Sequence, residues 1–203
     1  MTQNRRQFLT LALALPALGA CSVIPERPYV ETSRFPLLPR RASAMPAPAR
    51  GKVLLIRMMR AAPGLDQRGL RSLRPDGTEK ADYYAEWASP PADAAEEAVR
   101  RWLGDAGIFA GIVSPGTRAN YDLVLEIELS ELIADTPRGE ARAGIAAVLV
   151  QEAALGGKVL MQATPRGRAP LPPGERAADQ AAAMTAALGQ AIAGLEEAVR
   201  PYA

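Results

Sequence analysis

The sequence predicts an α+β domain in which an antiparallel β-sheet carries two helices packed on one face. Tyr121 to Leu129 alternates apolar side chains with mostly polar ones, which is typical of a strand with one buried face. Two other stretches, after Ser89 and after Gly174, repeat apolar residues at the helical period. A signal segment over residues 1–20 and a proline-rich tether over residues 21–50 are predicted to precede the domain, which then occupies residues 51–203.

The N-terminal segment has the layout of a secretory signal. Arg5 and Arg6 supply positive charge ahead of the apolar run from Phe8 to Ala20, which is shorter than the about 20 residues that span a bilayer. The run closes with Leu18-Gly19-Ala20-Cys21, and Cys21 is the only cysteine of the chain. This tetrapeptide resembles the lipobox of bacterial lipoproteins, in which an apolar side chain enters a recognition pocket and small residues admit the signal peptidase.

The lipobox resemblance predicts that Cys21 is lipidated. Its thiol would be joined to a diacylglycerol, the signal would be cut before it, and the new N-terminus would be acylated. The residues predicted to be recognised by the export machinery and the signal peptidase are Arg5, Arg6, Leu18, Gly19 and Ala20. An ordinary signal peptide followed by a chance cysteine is the alternative interpretation.

The same segment bears on the export route and the destination. Arg5-Arg6-Gln7-Phe8-Leu9 resembles a twin-arginine export signal, although two arginines also suit any positively charged signal. Ser22 stands where, in the best-known sorting system, an aspartate retains lipoproteins at the inner membrane. The sequence therefore favours the periplasmic face of the outer membrane.

Composition excludes several kinds of activity. The chain has 24 Lys+Arg, 22 Asp+Glu and no histidine, and loss of Arg5 and Arg6 with the signal leaves it formally neutral. A neutral chain without a basic face does not indicate nucleic-acid binding. Without histidine or a second cysteine, Ser-His-Asp and Cys-His catalysis, His/Cys zinc sites and intrachain disulfides are excluded. We expect no catalytic residues, no metal and no cofactor, although carboxylate, lysine or tyrosine chemistry remains open.

Proline, alanine and arginine dominate the stretch that follows the signal. Such a composition predicts an extended, semi-rigid tether of about 3 Å per residue. Within it, Tyr29 to Leu38 is interpreted either as a strand pinned to the domain or as a segment lying on it. Arg40-Arg41 is compatible with contact to anionic headgroups, but a solvated linker is the preferred interpretation.

The remaining elements are predicted from the spacing of apolar residues and from the proline, glycine and serine residues between them. Strands are predicted over Leu70 to Leu73, Ala81 to Ala88, Tyr121 to Leu129, Ala141 to Glu152 and Lys158 to Thr164. The apolar run Lys52 to Met59 has the length of a strand, although its pattern alone does not distinguish it from a short helix. One helix is predicted to be capped by Ser89 and to end at Gly104 or Gly107, and a second to run from Glu175 to about Arg200. Pro165 to Gly174 is predicted to be a loop.

Two carboxylates, Glu126 and Glu128, share one face of the predicted strand because strand side chains alternate. They have the residue type that general acid–base chemistry needs. A solvated sheet face is the preferred interpretation.

The order of all these features resembles the ABC-type transport auxiliary lipoprotein components. The residues that carry the resemblance are Pro63-Gly64-Leu65-Asp66-Gln67-Arg68 and Tyr83-Tyr84-Ala85-Glu86-Trp87-Ala88, with the long strand at Tyr121 and the C-terminal helix. Ser89-Pro90-Pro91 departs from the usual acidic residue followed by Pro-Leu, and the tether lacks the usual Tyr-Tyr pair. The likeness covers essentially the whole chain.

The resemblance implies a non-catalytic accessory subunit in lipid traffic between membranes. Its implied partners are an Mce-domain protein of an ABC transport system, the membrane through the anchor at Cys21, and further copies of the chain in a homo-oligomer. The residues it suggests for partner contact are Leu65, Asp66, Arg68, Tyr84 and Trp87. Asp66 and Arg68 are equally interpretable as a local ion pair, and Tyr84 faces away from Tyr83 and Trp87 in a regular strand, so at least one aromatic is expected in the core.

Two other functions stay open at this point. An envelope-structural lipoprotein that binds peptidoglycan or an outer-membrane assembly machine would share the anchor and the tether. A carboxylate-dependent periplasmic hydrolase would need a pocket that holds two carboxylates roughly 5–10 Å apart.

Overall fold

The computed structural model describes residues 28–152, 156–174 and 176–203. The predicted lipidation site Cys21 and the predicted signal residues Arg5, Arg6, Leu18, Gly19 and Ala20 lie outside the described residues. One compact unit covers Thr32–Ala203. Pro28 to Glu31, the described part of the preceding unit, is exposed.

The compact unit contains ten strands and two α-helices among its described residues, which confirms the predicted α+β class. The strands are β1 Ser33–Phe35, β2 Val53–Ile56, β3 Arg60–Ala61, β4 Gly69–Leu73, β5 Glu79–Trp87, β6 Gly111–Val113, β7 Leu123–Asp135, β8 Glu140–Gln151, β9 Lys158–Ala163 and β10 Arg166–Pro170. The helices are α1 Pro91–Ala106 and α2 Ala177–Val199, and a short 3₁₀ turn, Arg200–Tyr202, follows α2.

The sheet is mixed, whereas the sequence predicted an antiparallel one. Strands β7 and β8 form a long antiparallel hairpin, and β9 and β10 pair antiparallel with the outer side of β8. Along the other side of β7 lie β2, β3 and β4, all parallel to it. The alternation of apolar and polar residues along a strand indicates that one face is buried, but it does not indicate the direction of the neighbouring strands. The long connection through α1 allows strands before and after it to pair in parallel.

Both helices pack over the sheet, and α2 lies against β8 and β10. Its inward positions are small or aliphatic, with Ala187, Leu188, Ala191, Ile192 and Leu195 fully buried. The alanines let the helix axis approach the strands closely. Because the gap between helix and sheet is then narrow, aliphatic side chains fill it without large aromatic ones. The helical period predicted for this segment is confirmed.

The ends of α1 agree only in part with the sequence. Gly107 adopts a left-handed conformation with φ 60° and ends the helix, as predicted, because glycine takes this geometry without steric cost. Ser89 does not cap the other end. The helix begins at Pro91, with Pro90 in the cap position and no side-chain cap bond, since a proline in the first turn already removes one unpaired N–H group.

The predicted loop from Pro165 to Gly174 contains the edge strand β10. Gly167 explains why a strand fits there: a side chain at this position would overlap the carbonyl oxygen of Ala187 and lie 2.7 Å from the nitrogen of Ala191. The absence of a side chain at Gly167 thus lets β10 pack directly against α2. Gly167, which contributed to the loop prediction, is instead required by this close helix–strand contact.

Candidate functional site

The chain enters the domain through a segment that we call the N-terminal strap, Ser33–Ser43. Its first residues form β1, which pairs parallel to the end of β5, with Phe35 beside Trp87. The carbonyl of Phe35 accepts a hydrogen bond from the N–H of Ala88 at 2.8 Å, and Leu37 is buried in the core. The interpretation of Tyr29 to Leu38 as containing a strand pinned to the domain is therefore confirmed over Ser33–Phe35.

The far end of the strap is fixed by Glu196, a carboxylate on α2 that is only 4% exposed. Arg41 donates to it from Nε at 3.0 Å and from Nη2 at 3.2 Å. The indole Nε1 of Trp102 donates at 2.8 Å, and Arg200 also binds it. This cluster joins the strap, α1 and α2 at one point, and charged and neutral donors share one acceptor group.

Electrostatics keeps this carboxyl ionised. Burial by itself raises the pKa of Glu196, but the hydrogen bonds from Arg41 and Trp102 and the charges of Arg41 and Arg200 outweigh it and lower the pKa. The same partnership raises the pKa of Arg41. Glu196 therefore stays charged and bound to its partners at neutral pH.

The structure separates the predicted contact residues into two groups. Leu65 and Trp87 are each 2% exposed and belong to the core, where their side chains stabilise the fold. Asp66 is exposed and Arg68 is half-buried at the surface. Among the described residues, Arg68 pairs with Glu86 at 2.9 Å and not with Asp66, so the local pair considered from the sequence does not form.

Glu86 also links the strap to this surface. Its Oε1 accepts from Arg34 of β1 at 2.8 Å as well as from Arg68, and these two arginines lower its pKa despite some opposition from burial. We call the group Arg34, Asp66, Arg68, Tyr84 and Glu86 the β5 surface. It brings together residues that are far apart in the sequence, at the place where the chain enters the domain.

Tyr83 and Tyr84 lie in an irregular stretch of β5. The pairing with β4 shifts between Gly69 and Arg71, and a side chain at Gly69 would lie 2.7 Å from the carbonyl oxygen of Asp82. Tyr83 is 89% exposed and Tyr84 54% exposed, although the two residues are adjacent. The irregularity breaks strict alternation, which explains why Tyr83 does not share the buried face of Trp87.

Glu126 and Glu128 lie on the solvated face of β7, as the preferred interpretation held. Arg57 donates to Glu126 at 3.0 Å, and Arg60 pairs with Glu128 at 3.4 Å. Within the described ranges, no cluster of acidic side chains has the arrangement of a metal site. The described helices include none with the length and apolarity to cross a bilayer.

A surface groove between the strap and α2 was not predicted from the sequence. It has a volume of about 790 Å³. Its walls are Phe35, Pro36, Leu38 and Pro39 of the strap and Trp102 of α1, and its floor is formed by Ala178, Ala182, Ala186, Gly189 and Ala193 of α2. One signal was available: residues 180–195 contain no charged side chain, although part of this helix surface is exposed.

Comparison with known proteins agrees with this architecture. A family model described as ABC-type transport auxiliary lipoprotein component matches residues 35–199. The match begins at Phe35 within β1 and ends at Val199, the last residue of α2, so it covers most of the strap and nearly all of the compact unit. None of the curated proteins matches the chain.

Two solved structures share the fold. Protein XCC0632 from Xanthomonas campestris, of the DUF330 family, superposes with a TM-score of 0.67 at 22% identity, over 84% of this chain and 97% of that one. A crystal structure of an uncharacterized protein superposes with a TM-score of 0.63 at 12% identity, over 82% of this chain and 97% of the other. At such identities the likeness concerns the fold.

Proposed function

The chain belongs to the family of ABC-type transport auxiliary lipoprotein components, and we propose that it is a non-catalytic subunit of an Mce-type system that moves lipids between membranes. In this proposal it is anchored through Cys21 to the periplasmic face of the outer membrane. Its folded domain docks the transport assembly there by binding an Mce-domain protein.

The observation that carries the proposal is how the strap is attached. The compact unit begins at Thr32, so the chain between Cys21 and Thr32 reaches at most about 40 Å when fully extended, against about 100 Å for a tether extending to Gly51. A short connection holds the domain close to the leaflet that carries the anchor. Such confinement suits a docking subunit, because it raises the effective concentration of the domain at the membrane.

The β5 surface is the part of the domain that we propose for partner contact. It is adjacent to the start of β1 and therefore to the membrane-proximal end of the chain. It carries ionic groups of both signs and the exposed ring of Tyr84, and the exposed ring of Tyr83 is the next residue along β5. Aromatic and arginine side chains are enriched at protein–protein contacts, and the aromatic rings bury a large area at low entropic cost.

Durable anchoring requires more than one acyl chain. Each buried CH₂ contributes about 0.8 kcal/mol, and a single chain holds a protein only marginally. A diacylglycerol on Cys21 together with an acylated N-terminus meets that requirement. The proposal therefore depends on modification of this residue.

Metabolic labelling with radioactive palmitate tests the anchor. We expect the wild-type chain to be labelled and to be recovered in the outer-membrane fraction, and Cys21→Ala to be unlabelled and absent from that fraction. Ser22→Asp is a matched variant: it leaves the thiol in place, so label is retained, while the protein shifts toward the inner membrane. Unlabelled wild-type protein in the soluble fraction would contradict the proposal.

A further inference from the structure

The groove between the N-terminal strap and α2 is not used by the proposed docking function. It lies beside the β5 surface but is formed by other side chains, with Phe35 as the residue that belongs to both β1 and the groove. Its volume of about 790 Å³ lies in the range of about 300–1,000 Å³ that small-molecule sites occupy.

The lining of the groove is apolar over almost its whole length. Aromatic and aliphatic side chains of the strap and Trp102 form the walls, and small side chains of α2 keep the floor open. The only charged residue among its described lining residues is Arg40, accompanied by the polar groups of Thr185 and Gln190. An elongated apolar ligand can lie along α2 and leave no buried charge unpaired.

The groove continues into a second, polar cavity at one end. Arg40, Trp102 and Ala193 line both, and the second cavity has a volume of about 560 Å³. Its charged lining residues are Arg40, Arg41, Arg200, Glu196 and Glu197. Arg41 and Arg200 are bound to Glu196, whereas Arg40 is exposed and forms no ion pair with the described residues.

We propose that this groove binds a phosphate-bearing lipid, with one alkyl chain along α2 and the phosphate at Arg40. The complementarity has two parts, an apolar channel for the hydrocarbon and an arginine at its end for the anion. The guanidinium group suits phosphate because it presents several N–H donors in one plane. This inference is independent of the transport partner, since it concerns a binding site on the chain alone.

Trp102 offers a direct reporter, because it lines the groove while Trp87 is buried in the core. The test uses the mature chain with Cys21→Ser, which needs no detergent, and Trp87→Phe, which leaves one tryptophan. The probe is a lysophosphatidylglycerol with bromine on its acyl chain, titrated below its micellar concentration. We expect saturable quenching of Trp102 fluorescence, because bromine quenches only at short range.

Three variants locate the two parts of the ligand. Ala186→Glu places a charge on the floor and should weaken binding at least about tenfold, while glutamate remains a good helix former. Arg40→Gln should weaken binding of the phospholipid about tenfold but leave a brominated monoacylglycerol, which lacks phosphate, unaffected. Ala119→Glu adds the same charge at an exposed loop residue outside the groove and should change nothing.

Several results would overturn the inference. Absence of quenching in the parent chain would do so, as would equal quenching in parent and Ala186→Glu. If Arg40→Gln weakened binding of the phospholipid and of the monoacylglycerol equally, Arg40 would not be the phosphate-binding group that the proposal requires. Sedimentation of the parent as a dimer that Ala186→Glu dissociates, without quenching, would assign the groove to a second copy of the chain. Failure to co-purify a transporter would leave these readouts unchanged.

Discussion

At the residue scale, Glu196 joins three parts of the fold, because it binds Arg41 of the strap, Trp102 of α1 and Arg200 after α2. It sits on a helix face that is otherwise apolar, and it is buried because Arg41 and Trp102 reach it from two other elements. The helical period placed Leu195 and Val199 in the core, but it could not indicate that the intervening carboxylate would be covered. The partner, Arg41, was interpreted as part of a solvated linker, so the pair was not foreseen.

A neutral substitution tests this cluster. Glu196→Gln keeps the shape of the side chain but removes the charge that Arg41 and Arg200 share, and we expect a loss of about 1–3 kcal/mol in the free energy of unfolding. Glu197→Gln, one residue along and largely exposed, should change it by no more than about 0.5 kcal/mol. Urea denaturation measures both. Equal effects of the two substitutions would show that the cluster does not hold the strap.

Acid should weaken the fold through two buried carboxylates. Burial opposes ionisation of Asp135, but hydrogen bonds from Arg138 and the charge of Arg142 lower its pKa below the ordinary value of 3.8. The pKa of Glu196 is likewise below its ordinary value of 4.5. A lowered pKa gives stability that is complete above the ordinary value and is lost as pH falls through the folded-state value.

The corresponding measurement is the free energy of unfolding between pH 7 and pH 2. We expect it to be constant above about pH 5 and to fall below that. Asp135→Asn should lower stability at pH 7, because a neutral amide pairs less well with Arg138 and Arg142. The difference between this variant and the wild type should shrink toward pH 2. A difference that is independent of pH would contradict the assignment.

At the scale of elements, the sequence predicted the existence of nearly every helix and long strand but not their neighbours. Helix α2 and the strands of the β7–β8 hairpin were predictable from the spacing of their apolar residues, because that spacing reflects which side of each element is buried. Strand β10 was missed because its character depends on Gly167 meeting Ala187 and Ala191, which are distant in sequence. Strands β2 and β4 were predicted, but their parallel direction relative to β7 was not, because strand pairing depends on contacts between residues that are distant in sequence.

A pair of glycine substitutions tests this explanation of β10. Gly167→Ala would force β10 away from α2, and we expect a loss of about 2–3 kcal/mol or more, comparable with overpacking a core. At Gly104, in α1, an added methyl would have no atom within 4 Å other than those of the adjacent residues and of its own helix backbone, so Gly104→Ala should stabilise the protein by about 0.5–1 kcal/mol. Thermal unfolding distinguishes them. A tolerated Gly167→Ala would mean that the strand–helix contact is loose.

At the scale of the whole molecule, the candidate site combines what the sequence could and could not predict. Asp66, Arg68 and Tyr84 were proposed for contact from a resemblance. The fold links Arg68 to Arg34 of β1 through Glu86, and Tyr84 directly precedes the part of β5 that pairs with β1, whereas Asp66 lies exposed on the loop before β4. Leu65 and Trp87 came from the same motifs but are core residues, because a motif does not distinguish packing from binding. The groove depends on the strap crossing α2, a contact between the two ends of the chain that no local pattern encodes.

Co-purification from membranes tests the central claim most directly. The tagged full-length chain, extracted in mild detergent, is predicted to bring down an Mce-domain protein together with the permease and ATPase of an ABC transporter, identified by mass spectrometry. Substitution of Tyr84 by Ala, on the β5 surface, should reduce that recovery, while Val159→Ala on β9 should leave it unchanged. Recovery of the chain alone, or with peptidoglycan or an outer-membrane assembly machine instead, would contradict the account.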